Sequence, residues 1–507
     1  MLAKTQSVAL VGTDAHLVEV EIHIGTGVPS FTIVGLPTKS VREAEQRTRA
    51  ALVSSDEEWK ASRLVANLAP GALRKEGTHF DLPLALGILS ARDSIDPQRL
   101  SGWVAVGELA LDGAVRPVRG VLAAAVACRS AGLRGLVCPA ANAPEAALVE
   151  AVEVVPVHTL KDCIAWAQGR WTPPPPAVHS PPEEEEAASL AEVRGHEAAK
   201  RALEVAAAGG HNLLVVGPPG SGKTMLARRL PGILPPMATD EALDVTRVHS
   251  VAGLLGERPH LLRSRAFRTP HHNVSLAGMI GGGPGLARPG EASLAHHGVL
   301  FLDELTLYRA DVLESLRGPL EEGMVRIARA GGTVCYPCRF SLVAAMNPCP
   351  CGYAGDALRA CRCTHHALEA YRSRLSGPLL DRFDIQIAMA RPPKGELLGP
   401  PQGESSEAVR RRVEAARALQ TTRYGSTRTT NASASKRQIE AACSLAGPAR
   451  AMLGLAVDSL ALSGRGIDRV MRVARSVADL AGSTEIGEEH IGEAISYRTH
   501  DDEGLRA

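Results

Sequence analysis

Leu213-Leu214-Val215-Val216 runs directly into Gly217-Pro218-Pro219-Gly220-Ser221-Gly222-Lys223-Thr224, and a helical pattern, Met225 to Leu230, follows. An apolar strand, a G-x-x-x-x-G-K-[ST] loop and a helix in that order make a phosphate cradle. The glycines let the backbone curl until successive N–H groups face phosphate oxygens. The helix N-terminus adds the positive end of its dipole. Lys223 brings a point charge for the β- and γ-phosphates, and the Thr224 hydroxyl can ligate Mg²⁺. The whole loop, Gly217, Pro218, Pro219, Gly220, Ser221, Gly222, Lys223 and Thr224, is thus expected to hold ATP.

Such a site needs acids at the end of a second strand. Val299-Leu300-Phe301-Leu302 reads as buried and central, and Asp303-Glu304 closes it. Asp303 suits Mg²⁺, directly or through water. Glu304 suits the task of orienting and activating an attacking water. A third strand, Phe340 to Met346, ends at Asn347, whose amide can contact the γ-phosphate or the water. Arg382, in Leu379-Leu380-Asp381-Arg382-Phe383-Asp384, precedes a final strand, Ile385 to Ala388. It can act as a trans-acting finger on a neighbouring subunit's nucleotide or pair with Asp381 or Asp384. Arg465, in Ser463-Gly464-Arg465-Gly466, opens a helix and can reach the nucleotide from a lid, or stay solvated.

Around this core, composition sets the limits. The chain has 507 residues, enough for two to four domains at roughly 100–200 residues each. Hydrophobic residues make up 45% and charged residues 22%, which excludes wholesale disorder. Net charge is +1, so any nucleic-acid binding must come from local patches. No apolar run reaches the ~20 residues of a membrane span. The N-terminus lacks a signal peptide's apolar core. Ten cysteines are too sparse for a disulfide scaffold, so a soluble, reducing, cytoplasmic setting is expected.

Pro173 to Pro176, Pro181-Pro182 and Glu183 to Glu186 mark 171–188 as an extended linker. A weaker break lies at Arg391 to Ser406. The pieces are 1–170, 189–393 and 405–507. The first reads as α/β or α+β, with a strand at Val18 to Ile24, helices at Val41 to Ser54 and Val121 to Ala131, and a strand at Leu133 to Pro139. The second opens with a helix, Glu197 to Ala208. The third is helical. Residues 408–475 hold 13 Lys/Arg against 4 Asp/Glu, and that stretch can meet DNA, face an acidic neighbouring subunit, or simply be solvated.

Taken together, the nucleotide residues resemble an AAA+ ATPase. Val193-Arg194-Gly195-His196-Glu197 through Ala-Ala-Ala-Gly-Gly-His, Thr269-Pro270-His271-His272, Arg288-Pro289-Gly290-Glu291, Asn347-Pro348-Cys349-Pro350-Cys351-Gly352 and Ser376 to Asp384 resemble magnesium-chelatase-like AAA+ proteins. Val34-Gly35-Leu36-Pro37, Asn67-Leu68-Ala69-Pro70, Arg74-Lys75-Glu76-Gly77, Phe80-Asp81-Leu82-Pro83 and Arg116 to Leu122 resemble the YifB/ComM family. That resemblance implies an α/β multidomain chain: an N-terminal Lon-protease-like α/β domain, a P-loop AAA+ α/β core and a C-terminal helical lid. It implies a homo-hexameric ring, and ATP-driven branch migration of DNA in recombination and natural transformation. It gives Asn347 the role of polar sensor, Arg382 that of trans finger and Arg465 that of lid sensor. Lon-type peptidases use a Ser–Lys pair, and neither residue stands where it would be needed (Thr78 to Leu82, and near Gly120), so the first domain reads as non-peptidase. The alternative is a motor subunit that drives Mg²⁺ into a tetrapyrrole with a partner. A non-hydrolysing, nucleotide-gated scaffold fits poorly with intact Lys223, Asp303 and Glu304.

Cys349-x-Cys351 and Cys361-x-Cys363 place four thiols within 15 residues, the right ligand set for structural Zn²⁺ although the inner spacing is tight. Cys335 and Cys338 can pack or compete. His271-His272 and His296-His297 are expected to point apart as strand neighbours, against a shared metal. Gly278 to Gly285 suggests a pore loop, with Arg263, Arg265 and Arg268 available for phosphates.

Overall fold

A computed structural model describes the chain except for residues 61, 178–187, 257, 284–286, 330–331, 357, 394, 397–402 and 499–507. The acidic half of the expected linker, and the end of the Gly278 to Gly285 loop, lie outside the described residues.

The first 170 residues build a seven-stranded mixed sheet, ordered Ser30–Val34, Arg63–Ala69, Asp14–Gly25, Leu2–Val11, Trp103–Ala105, Gly135–Pro139, Glu153–Val157. Leu2–Val11 and Asp14–Gly25 form a long hairpin whose turn uses Gly12 at φ 66°. Helix Asp81–Ala91 is apolar on every side and is buried along its whole length. Gly87 lets it lie on the hairpin: a Cβ there would stand 2.7 Å from Ile22 Cγ1. The expected helix Val41 to Ser54 is interrupted at Glu43, into Lys39–Arg42 and Ala44–Ser54.

The second sheet is five-stranded and fully parallel: Phe267–Arg268, Val299–Leu302, Ser341–Met346, Leu213–Val216, Ile385–Ala388. The runs of Val, Leu, Ile and Ala read in the sequence are buried on both faces, as crossover helices require. This order puts the carboxyl ends of Leu213–Val216, Val299–Leu302 and Ser341–Met346 side by side, where ligands of parallel sheets bind. The helix after the phosphate loop starts at Lys223 and ends at Ala227, shorter than expected. Pro231 supplies no N–H, and a new turn, Leu230–Ile233, takes over.

Helices Ser406–Tyr424, Lys436–Ala442, Gly447–Ser459, Gly464–Leu480 and Glu488–Ser496 complete the chain. All of them but Lys436–Ala442 share one continuous core with the parallel sheet and with helix Glu197–Gly209. Arginines of the basic stretch fasten this packing. Arg412 pairs with Glu204 at 2.6 Å, Arg417 donates to the Ala207 carbonyl at 2.8 Å, and Arg423 pairs with Asp479 at 2.6 Å. Arg472 donates to the carbonyls of Asn431, Ala432 and Ala434, and Arg475 is wholly buried against Asp479. Much of the basic stretch therefore stabilises the fold and is not free for DNA.

Candidate nucleotide site

The phosphate loop is shaped by what a side chain would hit. A Cβ on Gly217 would stand 2.3 Å from the Met389 carbonyl oxygen. Gly220 and Gly222 take φ of 76° and 92°, the left-handed region that glycine enters without cost. Lys223 is the first residue of its helix and is buried. Its ammonium donates to the carbonyls of Gly217 at 2.7 Å and Pro218 at 2.9 Å, and to Asn347 Oδ1 at 3.2 Å. Burial holds this lysine below its ordinary pKa, while Asp303 and Glu304 favour its charged form.

Thr224 donates its hydroxyl to Asp303 Oδ2 at 2.7 Å. Glu304 stands beside it, exposed, at φ 51°, a strained conformation of the kind often stored at working sites. Its N–H caps Asp303 Oδ1 at 2.9 Å. Lys223, Thr224, Asp303 and Asn347 thus converge from three strand ends.

The site fits a nucleotide with its metal. Ser221 Oγ is buried with no hydrogen-bond partner. Lys223 spends its protons on loop carbonyls, positions that phosphate oxygens can take over. A hydroxyl beside a carboxylate offers the oxygen donors that Mg²⁺ requires.

Arg382 and Arg465 are placed elsewhere. Asn212 donates its amide to the Arg382 carbonyl at 2.8 Å. It immediately precedes the four-residue strand that carries Gly217 at its other end, so Arg382 lies about 13 Å away at the amino edge of the sheet. Arg465 lines the same groove as Arg382, about 890 Å³ in volume, with Arg469 and Arg472. Helix Gly464–Leu480 presents Arg465 beside Arg382, at the edge of the sheet away from Lys223. Within the chain Arg382 pairs with Glu321 rather than with Asp381 or Asp384. Burial, then Arg469, Arg317 and Arg465, hold its pKa below the usual arginine range.

Other expectations change as well. Arg265 donates to Pro235 O at 2.7 Å and His297 O at 2.6 Å, and Arg268 makes a bidentate pair with Glu291 at 2.7 and 2.8 Å. Neither is available to phosphates; Arg263 is exposed. His296 and His297 do not point apart: their rings lie 4.0 Å from each other, because they sit in a turn with His297 at φ 54° and not on a strand. His271 and His272 are likewise neighbours at 4.1 Å. Asp244, His296 and His297 come within ligand range of one another, but His296 Nδ1 is already taken by the Arg339 N–H at 3.0 Å. Cys338 is buried against Pro319 O, apart from the four-cysteine cluster, in which Cys349, Cys351, Cys361 and Cys363 do come together. At the start of helix Asp81–Ala91, Asp81 is buried in a 2.6 Å ion pair with Arg47, at the place where a Lon-type serine would be sought.

One arrangement was not visible in the sequence. His211 Nδ1 meets Asp384 Oδ2 at 3.1 Å, and its Nε2 meets Ser476 Oγ at 2.8 Å. His211 is fully buried and the Ser476 hydroxyl also donates to Arg472 O, so this is a polar strut between sheet and helices and not a nucleophile. Gly209, two residues before His211, makes room for the strut. A Cβ on Gly209 would stand 2.1 Å from His211 Nε2 and 2.2 Å from Ser476 Oγ.

Comparison with known proteins gives matches along the chain. Three family profiles match in series: Subunit ChlI of Mg-chelatase at residues 20–142, Magnesium chelatase, subunit ChlI at 189–397, and its C-terminal part at 403–498. The chain is 44% identical over 499 residues to an uncharacterized protein of Mycobacterium tuberculosis, covering 98% of each. It is 42% identical over 505 residues to competence protein ComM of Haemophilus influenzae, covering 98% of this chain and 97% of that one. It is 40% identical over 495 residues to YifB of Escherichia coli, covering 97% and 96%. The chain belongs to the YifB/ComM family of magnesium-chelatase-like AAA+ ATPases. For a YifB/ComM protein, the parallel sheet and its phosphate loop are the AAA+ core, and the helices beyond 403 are the family's C-terminal part. Among the described residues no helix is long and apolar enough to cross a membrane.

Proposed function

We propose that this YifB/ComM protein hydrolyses ATP and uses the energy to remodel DNA, as a branch-migration motor in recombination or natural transformation. The observation that carries the ATPase half is the convergence of Lys223, Thr224, Asp303 and Asn347 at one edge of the parallel sheet. The DNA half rests on a match that runs the length of a protein named for competence.

ATP, with Mg²⁺, brings the transferable phosphoryl group. Lys223 leaves the loop carbonyls and neutralises phosphate oxygens. Thr224 and Asp303 would hold the Mg²⁺, which would supply charge for the phosphate oxygens. Glu304, exposed and free of that contact, takes the proton of the attacking water as the water's oxygen bonds to the γ-phosphorus and the bond to the bridging oxygen breaks. Asn347 links the two events, because it touches Lys223 and ends the third strand.

Arg382 serves a different molecule of the same chain. Its distance from Lys223 in one protomer is what a trans finger requires, and Arg465 beside it is read as acting from the same edge. Such a pocket is completed only in a ring, read as a homo-hexamer in the cytoplasm. The division into 1–170 (a Lon-protease-like, non-peptidase domain), the linker 171–188, the core 189–393 and the helical lid 405–507 belongs to the same proposal.

The rival is a metal-insertion motor working with a tetrapyrrole-binding partner, favoured by the chelatase names of all three profiles. A labelled four-way junction separates the two. Wild type with ATP should convert it into paired duplexes, and Lys223→Ala should not. An active ATPase that neither binds nor migrates branched DNA at low salt, where phosphate contacts are strongest, would end the DNA reading.

A further inference from the structure

The loop after the third strand gathers its four cysteines around one point. Cys349 Sγ lies 3.3 Å from Cys351 Sγ and 3.7 Å from Cys361 Sγ, Cys351 and Cys361 are 3.6 Å apart, and all four sulfurs fall within 4.8 Å of one another. A tetrahedral zinc with bonds of about 2.3 Å sets its sulfurs about 3.8 Å apart. A disulfide would need about 2.05 Å and would join sulfurs in pairs. Backbone amides point at the sulfurs: Ala354 N–H at Cys349 (3.2 Å) and Cys363 N–H at Cys361 (3.5 Å). Donors of this kind support metal-bound thiolates.

The same loop leans on the phosphate cradle. Gly352 turns at φ 84°, and a Cβ there would stand 2.6 Å from Pro219 Cδ. Asp356 accepts N–H bonds from Leu358 at 2.7 Å and Arg359 at 3.0 Å, and faces Arg391 at 3.5 Å. Arg391 in turn donates to the Pro219 carbonyl at 3.4 Å. Tyr371, on the helix that follows the last two cysteines, donates to the Asn347 carbonyl at 3.0 Å. Both ends of the cysteine loop therefore bear on residues that shape the nucleotide site.

We propose that Cys349, Cys351, Cys361 and Cys363 bind one Zn²⁺, and that the zinc-closed loop braces Pro219 and Asn347 so that nucleotide affinity depends on metal occupancy. This rests on the nucleotide-site reading above. Four protein ligands close the coordination shell, so the ion is structural, and it has no redox chemistry of its own. Without it the four cysteines are no longer tied to one point, the turn at Gly352 loosens, and Pro219 loses its backing.

The test uses the full-length protein. Elemental analysis of wild type and Lys223→Ala should each give about one zinc per chain. Binding of a fluorescent ATP analogue is then measured before zinc removal by a chelator, after it, and after zinc is restored. Affinity should fall about tenfold or more on removal, the scale of a lost hydrogen bond to a charged group, and return with zinc. If removal also costs the helical circular-dichroism signal, Gly352→Ala decides: it should keep its zinc and bind the analogue more weakly. Iron in place of zinc, or no metal, overturns the assignment. Zinc with unchanged affinity in the stripped chain, or in Gly352→Ala where that variant decides, overturns the brace. Failure of the nucleotide reading looks different, because wild type with full zinc would then bind no analogue.

Discussion

The hydroxyl of Thr224 and the carboxylate of Asp303 are 79 positions apart in the chain and 2.7 Å apart in space. They approach because Leu213–Val216 and Val299–Leu302 flank Ser341–Met346 in a parallel sheet and end at the same edge. An oxygen pair at this place is what a nucleotide-borne Mg²⁺ needs. Asp303→Ala should leave nucleotide binding without Mg²⁺ intact and remove the gain in affinity that Mg²⁺ brings. Titration of a fluorescent ATP analogue with and without Mg²⁺ reads this directly.

Glu304 is exposed, beside the metal pair and not part of it. Glu304→Gln should keep ATP affinity and lower kcat about 10²- to 10⁴-fold, the range of a lost general base. Steady-state phosphate release with a parallel binding isotherm separates the two effects. Unchanged turnover would favour a nucleotide-gated scaffold.

Arg382 lies at the far edge of the sheet from Lys223. Arg382→Ala should bind ATP normally and lose turnover about 10³-fold or more, as trans fingers do. Lys223→Ala and Arg382→Ala should each be inactive alone. Mixed, they should regain part of the wild-type rate, because one supplies the loop and the other the arginine. A mixture as inactive as its parts contradicts a shared pocket.

His79 tests the N-terminal sheet. It is buried, its Nε2 lies 2.7 Å from the Val8 carbonyl, and burial lowers its pKa from 6.5 to about 4. The folded protein therefore holds it neutral, donating to Val8. Its contribution is complete above pH 6.5 and is lost as pH falls through about 4. That loss amounts to about 3 kcal/mol. Melting temperature followed from pH 7 to pH 4 should drop more steeply for wild type than for His79→Gln, whose amide can still donate. Parallel curves would remove His79 from the account of acid sensitivity.

Gly209 tests the strut formed by His211, Asp384 and Ser476. A methyl group there would overlap both His211 Nε2 and Ser476 Oγ. Gly209→Ala should destabilise the chain by about 1–3 kcal/mol, the usual cost of overpacking. Denaturant melts of the variant and wild type provide the check.

The nucleotide site was legible because its chemistry is local. Asp303 and Asn347 directly follow apolar runs, and Lys223 and Thr224 close the glycine-rich loop that follows another. What joined distant segments was not legible. His211 and Ser476 are 265 positions apart and no periodicity links them. Arg465 carried a motif, but the motif says nothing about which edge of the sheet its helix covers. The basic stretch misled for the same reason. Charge counts do not show that Arg412, Arg417 and Arg423 are spent on Glu204, the Ala207 carbonyl and Asp479. Strand alternation also failed for His296 and His297, because a left-handed turn overrides it.

The most direct measurement is calorimetric titration of the purified full-length chain with ATP and Mg²⁺, wild type against Lys223→Ala. The account predicts saturable binding for wild type and none for the variant, with the two proteins melting alike in the absence of nucleotide. Equal binding by both, or by neither, would contradict it.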